Sequence, residues 1–358
     1  MTHDFKITRT QNPKAKPDID KLGFGVHFTD HMFVMKYTPD KGWHDGEVVP
    51  FGPLCLSPAA SVFHYGQEMF EGMKAYRTAD GRVLLFRPDM NVKRTNATNE
   101  RICMPQIEES LMIDAIKAVV DVDRDWIPDR KGTSLYIRPF IIASEPFLGV
   151  RPSNDYLFFV ILSPVGSYYA NSDQTHTTKI YVEDVYTRAA VGGTGMAKIG
   201  ANYVMGLKAQ EKANSFGYDQ VLWLDGKEKK YVQEIGTSNA FFVIDGEIIT
   251  APLTDGTILP GITRDTILAL LRDRGAHVSE RDLEIEEVFR ASDEGRLNEV
   301  FASGTAAVIS PVGELRWKDR VIQINNDQIG PVADSLYKEI VAIQTGAIED
   351  RFGWTVEV

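Results

Sequence analysis

A chain of 358 residues exceeds what one hydrophobic core usually supports, so two domains are expected. Its 43% hydrophobic and 25% charged residues give the balance of an ordinary globular protein, not a disordered or fibrous one. The formal net charge of -11 opposes the basic surface that nucleic acid requires, yet leaves room for a local basic pocket that takes a small anion. Only Cys55 and Cys103 are present, in no CxxC pair, which excludes a disulfide framework and a zinc ribbon and suits a reducing compartment. The N-terminal stretch lacks the apolar core of a signal peptide, and no run approaches the roughly 18 apolar residues of a membrane span. A cytoplasmic protein with no membrane partner is expected.

Strands are expected at 31–37, 82–88, 134–144 and 155–165, where apolar or alternating runs are rich in β-branched and aromatic residues. Between them, Met112, Ile116, Val119 and Val120 recur at helical spacing. The polar, aperiodic stretch 166–178 reads as a linker. Beyond it come a strand at 179–186, a glycine-rich loop at 191–200, and strands at 221–225 and 231–235. A hairpin at 240–250 turns on Asp245-Gly246. Ile267, Leu270 and Leu271 share one face of a helix that Gly275 ends, and 299–312 reads as strand–turn–strand. A last helix starts at Pro331 and buries Leu336, Ile340 and Ile343. The pattern predicts an α/β (α+β) protein of two mixed domains. Residues 1–20 form an N-terminal extension, 21–168 a small domain, 169–178 the linker and 179–358 a large domain.

Several residues could carry chemistry. Lys198 has glycine, alanine, methionine and isoleucine as neighbours, so its amine would be partly desolvated and nucleophilic. Most lysines, however, are simply solvated. The loop is not a phosphate-binding P-loop, because Ala197 precedes the lysine and Ile199 follows it. Glu234 closes an apolar strand, and reads either as a water-facing strand end or as a carboxylate for a protonated ring nitrogen. Gly261-Ile262-Thr263-Arg264 opens a helix whose N–H groups suit a phosphate, although Thr263 reads equally as an N-cap. The turn Ser303-Gly304-Thr305-Ala306 could seat an anion, and Arg94 could ligate a phosphate or merely charge a helix face. Arg138, inside an apolar strand, needs an anionic partner. Phe24, Tyr65, Phe70, Tyr136 and Tyr203 stand at candidate loops, although most aromatics in any protein are core packing.

Taken in order, these segments closely resemble the branched-chain aminotransferases of the pyridoxal-phosphate fold-type IV group, the D-amino acid aminotransferase-like fold. The matching stretches in the first half are FGVHFTDHMF (24–33), YGQEMFEGMKAYR (65–77), FRPDMNVKR (86–94), SLYIRPF (134–140) and EPFLGV (145–150). In the second half they are GGTGMAKIGANY (192–203), DQVLWLD (219–225), QEIGTSNAFF (233–242), LPGITRDTIL (259–268) and ASGTAAVISPV (302–312). The resemblance spans roughly residues 20 to 357 and makes 179–358 the cofactor-binding domain.

The resemblance implies that Lys198 holds pyridoxal 5′-phosphate as a Schiff base and shuttles the substrate proton. Glu234 would pair with the pyridine nitrogen and Tyr203 with the phenolic oxygen. Arg94, the N–H groups of Ile262 and Thr263, and Thr305 would hold the phosphate. Thr237, Ala306 and the Tyr65 hydroxyl would bind the α-carboxylate, while Phe24, Phe70, Tyr136 and Tyr203 form an apolar pocket. Arg138 would meet the distal carboxylate of glutamate or 2-oxoglutarate, the partners of leucine, isoleucine and valine in a ping-pong exchange. Val150 would belong to a loop lent to the neighbouring subunit of a homodimer, and no metal ligand is implied. In the mammalian members a CxxC pair follows the GTA turn; here those positions are Ala307 and Ser310, so that thiol switch is absent.

Two other readings compete. D-amino-acid aminotransferases and aminodeoxychorismate lyases share the scaffold, but they are usually shorter and do not combine FGVHFTDHM with SLYIRP and EPFLGV. A catalytically silent relative would be expected to lose the lysine, the ring-nitrogen carboxylate or the phosphate arginine, and all three are filled here.

Overall fold

A computed structural model describes residues 3–166 and 177–358. The expected linker at 169–178 lies, up to residue 176, outside the described residues. The chain divides into two compact units. One is drawn from Met1–Ser172, Ala197–Gly200 and Ala342–Val358, the other from Asp173–Met196 and Ala201–Val341. Among the described residues no helix is long and apolar enough to cross a membrane.

The first unit is built on a nine-stranded sheet. Its strands are β1 (Lys6–Ile7), β2 (His31–Thr38), β3 (Gly42–Pro50), β4 (Glu68–Phe70), β5 (Met73–Arg77), β6 (Val83–Phe86), β7 (Ser134–Ala143), β8 (Tyr156–Val165) and a C-terminal strand, Thr355–Glu357. They run in the order β1-β3-β2-β8-β7-β5-β6-C-terminal strand, with β4 paired to β7. Helix α1 (Val62–Tyr65) is a single turn. Helix α3 (Glu109–Val122) follows α2 (Pro88–Arg101) and buries Met112, Ala115, Ile116, Val119 and Val120 at the expected helical spacing.

Strand β7 carries the period of two that separates core from site. Leu135, Ile137, Ile141 and Ala143 enter the core, whereas Tyr136, Arg138, Phe140 and Ile142 on the other face are only half-buried. Helix α2 inverts the usual rule: its inward positions include Asn91, Arg94, Thr95 and Thr98. A polar buried face leaves little apolar periodicity, so this helix does not announce itself in the sequence.

The second unit has its own nine-stranded sheet. The strands are β9 (Thr178–Glu183), β10 (Gln220–Leu224), β11 (Val232–Ile235), β12 (Ser238–Ile244), β13 (Glu247–Thr250), β14 (Val278–Glu280), β15 (Leu297–Gly304), β16 (Val308–Trp317) and β17 (Arg320–Gln323). Their order is β11-β10-β9-β16-β15-β12-β13-β14, with β17 beside β16. The β12–β13 hairpin turns where expected: Asp245 and Gly246 take φ of 52° and 81°, the paired left-handed values of a type I′ turn. A second tight turn joins β11 to β12 at Gly236 (φ 57°) and puts Thr237 at its tip. Helices α4 (Leu207–Ser215), α5 (Ile262–Asp273) and α6 (Ile285–Asp293) accompany this sheet.

The helix Pro331–Gln344 is anchored by a buried carboxylate. Glu299, on β15, accepts the backbone N–H groups of Val332 (2.9 Å) and Ala333 (3.0 Å), donors that the first helical turn cannot satisfy internally. Negative charge at this end also complements the helix dipole. Glu299→Ala should therefore cost about 1–2 kcal/mol and lower the melting temperature by a few degrees. An unchanged melting temperature in a calorimetric scan would show that this cap is dispensable.

Candidate active site

In the first unit the site is assembled around Lys198. Its backbone N–H donates to Thr98 Oγ1 (3.1 Å), and its carbonyl accepts from the Phe70 N–H (3.1 Å), so α2 and β4 both hold the residue. The amine lies 4.8 Å from the centre of the Phe70 ring. Burial, and then the nearby Arg94 guanidinium, push the Lys198 pKa down to about 8, while Glu71 opposes the shift. A neutral amine is therefore available near neutral pH.

Arg94 is buried and clamped by Glu71, Nε to Oε1 at 2.7 Å and Nη2 to Oε2 at 2.9 Å. Asn91 Nδ2 (2.7 Å) and the Gly72 N–H (3.1 Å) also donate to Oε2. Burial alone would raise the Glu71 pKa, but Arg94, with Lys198 and Asn91, holds the carboxyl below its ordinary value. Beside this pair, Tyr136 meets Phe24 edge-on at 4.8 Å between ring centres. Arg138 donates from Nη2 to the Tyr136 hydroxyl (3.0 Å) and lies 4.7 Å over Phe70. The buried Lys74 stands directly opposite Tyr136 on β5, and burial pushes its pKa too down to about 8. Phe24, Phe70, Arg94, Tyr136, Arg138 and Lys198 thus form one constellation.

Tyr65 and Val150 are gathered with each other in the same unit. The Tyr65 hydroxyl donates to the Leu148 carbonyl, and Tyr65 and Val150 line a cavity of about 420 Å³ with Gln67, Arg101 and Cys103. Tyr65 is 44% exposed and Val150 86% exposed.

In the second unit Glu234 is buried against Arg188 (2.8 Å), and Asn239 Nδ2 reaches it at 3.3 Å. The same Asn239 nitrogen donates to the Leu259 carbonyl (2.9 Å), tying the carboxylate to the segment that opens α5. At that opening Gly261 is the N-cap and no side chain caps the helix, so Ile262 and Thr263 begin it with their N–H groups uncapped by any side chain. Tyr203 and Thr237 line a cavity of about 130 Å³ with Arg188, Asn202 and Trp223. Thr305 and Ala306 sit in the turn between β15 and β16, beside a γ-turn of the rare, strained hand. There Val308 takes φ of 66°, and the Ile309 N–H bonds the Ala307 carbonyl at 2.9 Å. The donor chemistry matches the parts of pyridoxal phosphate. Taken unit by unit, the first offers an amine with depressed pKa, which suits an aldehyde, and the second a compensated buried carboxylate, which suits a ring nitrogen, and a helix start, which suits a phosphate.

Glu71, Arg188 and Asn239 were not singled out from the sequence, nor were Gly72 and Lys74. A detectable signal existed for Glu71, a carboxylate within the apolar run MFEGM, the same feature that marks Glu234. Arg188 offers none, because its partner is remote in the chain.

Comparison with known proteins agrees with this chemistry. The family model described as amino-transferase class IV matches residues 68–315, and the chain belongs to that family, with the fold-type IV architecture. A branched-chain-amino-acid aminotransferase of Bacillus subtilis (strain 168) is 54% identical over 99% of this chain and 97% of its own. The Escherichia coli branched-chain amino acid aminotransferase superposes with a TM-score of 0.75 at 28% identity, over 91% of this chain and 98% of that one. The T.th. enzyme of the same name, solved with pyridoxamine 5′-phosphate, gives 0.76 at 29% identity, over 90% and 97%. That enzyme has also been solved with N-(5′-phosphopyridoxyl)-L-glutamate and with 4-methylvaleric acid, at TM-scores of 0.74 and 0.72.

Because its pKa is depressed, Lys198 should lose its proton on passing upward through pH 8. In cofactor-free protein, modification of Lys198 by an amine-reactive reagent should rise with a midpoint of about 8, well below the ordinary lysine value of 10.5. Peptide mapping separates it from Lys74, for which the same midpoint is expected. A Lys198 midpoint at the ordinary value would contradict its desolvation.

Proposed function

We infer that the protein is a pyridoxal-phosphate-dependent branched-chain aminotransferase, exchanging amino groups between leucine, isoleucine or valine and 2-oxoglutarate. The observation that carries this reading is the desolvated Lys198 amine beside Phe70, with Tyr136 and Arg138 adjacent. An aromatic wall suits a branched aliphatic side chain, and a guanidinium at its edge suits the distal carboxylate of glutamate. The T.th. relative carries one ligand of each kind, a phosphopyridoxyl-glutamate and an apolar acid. The two free, exposed cysteines are in keeping with the reducing cytoplasm expected from the sequence.

When bound, the cofactor supplies a protonated ring that withdraws electrons from the substrate α-carbon. Lys198 would hold it through its amine, and that amine would also hold and move the substrate α-proton as a general base. Glu234 keeps the ring nitrogen protonated, and Arg188 and Asn239 keep the carboxylate compensated and oriented. Tyr203 binds the phenolic oxygen. Arg94, the N–H groups of Ile262 and Thr263, and the Thr305 hydroxyl bind the phosphate. Thr237, Ala306 and Tyr65 receive the α-carboxylate, and Phe24, Phe70, Tyr136 and Tyr203 surround the side chain.

The active form is a homodimer in which each copy lends its Val150 loop to the other. Val150 and Leu148 are strongly exposed apolar residues, and the Tyr65 hydroxyl is tied to the Leu148 carbonyl, so Tyr65 is lent along with the loop. Co-expressing Lys198→Ala with Val150→Asp should then restore about a quarter of wild-type activity. Random pairing makes half of the dimers mixed, and each mixed dimer has one complete site. No recovery from two separately inactive variants would remove the shared-site claim.

The visible spectrum tests the reaction itself. Leucine should convert the absorption of the bound cofactor to that of its amine form, 2-oxoglutarate should restore it, and Lys198→Ala should not complete the cycle. Conversion by D-alanine in place of leucine would keep the family and overturn the substrate.

A further inference from the structure

We propose that Gly72 is a specificity-determining position, because its missing side chain seats the Tyr136 hydroxyl that fixes Arg138 for acidic substrates. The proposal rests on the aminotransferase reading above and concerns how one site accepts two kinds of side chain.

Gly72 lies between β4 and β5, and its φ is outside the left-handed region, so the backbone itself would accept alanine. Space is what forbids a side chain. A Cβ built on Gly72 would fall 2.1 Å from the Tyr136 hydroxyl oxygen and 3.0 Å from Cζ of the ring. One partner would have to move, and the geometry points to Tyr136. The Gly72 N–H donates to Glu71 Oε2 (3.1 Å), and its carbonyl accepts from Asn91 Nδ2 (3.4 Å). Glu71 is itself clamped by Arg94, and the adjacent Met73 is in register with Ile137 on β7. Retreat of the strand would disturb a buried ion pair and leave its charges poorly compensated away from water.

Tyr136 in turn positions Arg138. Its hydroxyl accepts from Nη2 at 3.0 Å, and its ring lies 5.3 Å beneath the guanidinium. A methyl group at position 72 therefore displaces the hydroxyl and loosens Arg138; Phe24, which meets the Tyr136 ring edge-on, feels the shift only as a change of apolar contact. Binding of a second carboxylate should suffer far more than binding of a branched alkyl chain, since the former depends on guanidinium direction and the latter on apolar area. Gly72 acts here as a positioning residue, through Tyr136.

The test uses the holoenzyme and two unreactive ligands, glutarate and 4-methylvalerate, with dissociation constants measured by calorimetry. Gly72→Ala should weaken glutarate at least about tenfold and 4-methylvalerate less than about threefold, as expected for loss of a hydrogen bond to a charged group. Tyr136→Phe removes the hydroxyl without adding bulk, so it should also weaken glutarate selectively, even if Gly72→Ala fails to fold. Combining both substitutions should add little to the glutarate loss of either alone. Equal weakening of both ligands by Gly72→Ala, fully additive losses, or Tyr136→Phe leaving glutarate binding unchanged would each overturn the proposal alone. Wild-type protein that binds neither ligand would overturn the aminotransferase reading and this inference with it.

Discussion

The Glu71–Arg94 ion pair is the contact on which the first unit's chemistry depends. A carboxylate and a guanidinium taken out of water are stable together only when geometry is close and the remaining lone pairs are used. Here both conditions hold: two short bonds join the charges, and Asn91 with the Gly72 N–H completes the shell of Glu71. The pair spans 23 residues of sequence, so it locks α2 to the β4–β5 segment. Lys198 hangs between the same two elements, through Thr98 and Phe70. Its position therefore depends on the same two elements that the pair joins, while its lowered pKa comes first from burial and then from Arg94, with Glu71 opposing.

The second unit repeats the principle with different residues. Glu234 has Arg188 at 2.8 Å and Asn239 beside it, so each unit contains a buried carboxylate matched to arginine and an asparagine. In the first unit the pair joins the elements that hold the Lys198 amine, and in the second, on the proposed reading, the carboxylate itself would face a ring nitrogen. Arg188 also donates to the Thr257 carbonyl (2.8 Å), and Gln233 reaches the Thr257 hydroxyl, so the strand carrying Glu234 is pinned on both sides. Such redundancy keeps a functional carboxylate within the narrow geometry that catalysis requires.

Much of this was legible in the sequence wherever period and burial coincide. Strands β2, β7 and β8, helix α3, the Asp245-Gly246 turn and the helix from Pro331 all follow apolar spacing or turn chemistry. Helix α2 escaped because its buried face is polar, and β4 because three residues cannot display a period. The site divides in the same way. Lys198 and Glu234 stand out as polar residues in apolar company, but Arg188 becomes meaningful only through a distant partner. Gly72 carries no side chain to read at all, and its role exists only as the volume that Tyr136 fills.

Under the proposed function, a site that holds a branched alkyl group and a carboxylate in turn would face an electrostatic difficulty, because a half-buried cation beside an alkyl chain lacks its counter-charge. The arrangement on β7 eases this. Tyr136 and Arg138 are two residues apart on one strand, so the period of two delivers wall and charge to the same face. The guanidinium lies over the Phe70 and Tyr136 rings, each such contact contributing about 0.5–2 kcal/mol. Glu68, whose carboxyl pKa burial pushes up, is also within electrostatic reach of Arg138. Arg138 is thus partly compensated without a ligand, which makes an apolar occupant tolerable. Because aromatic faces compensate less fully than a carboxylate does, an acidic occupant, on the proposed reading, would gain an ion pair with Arg138 that an apolar one would not.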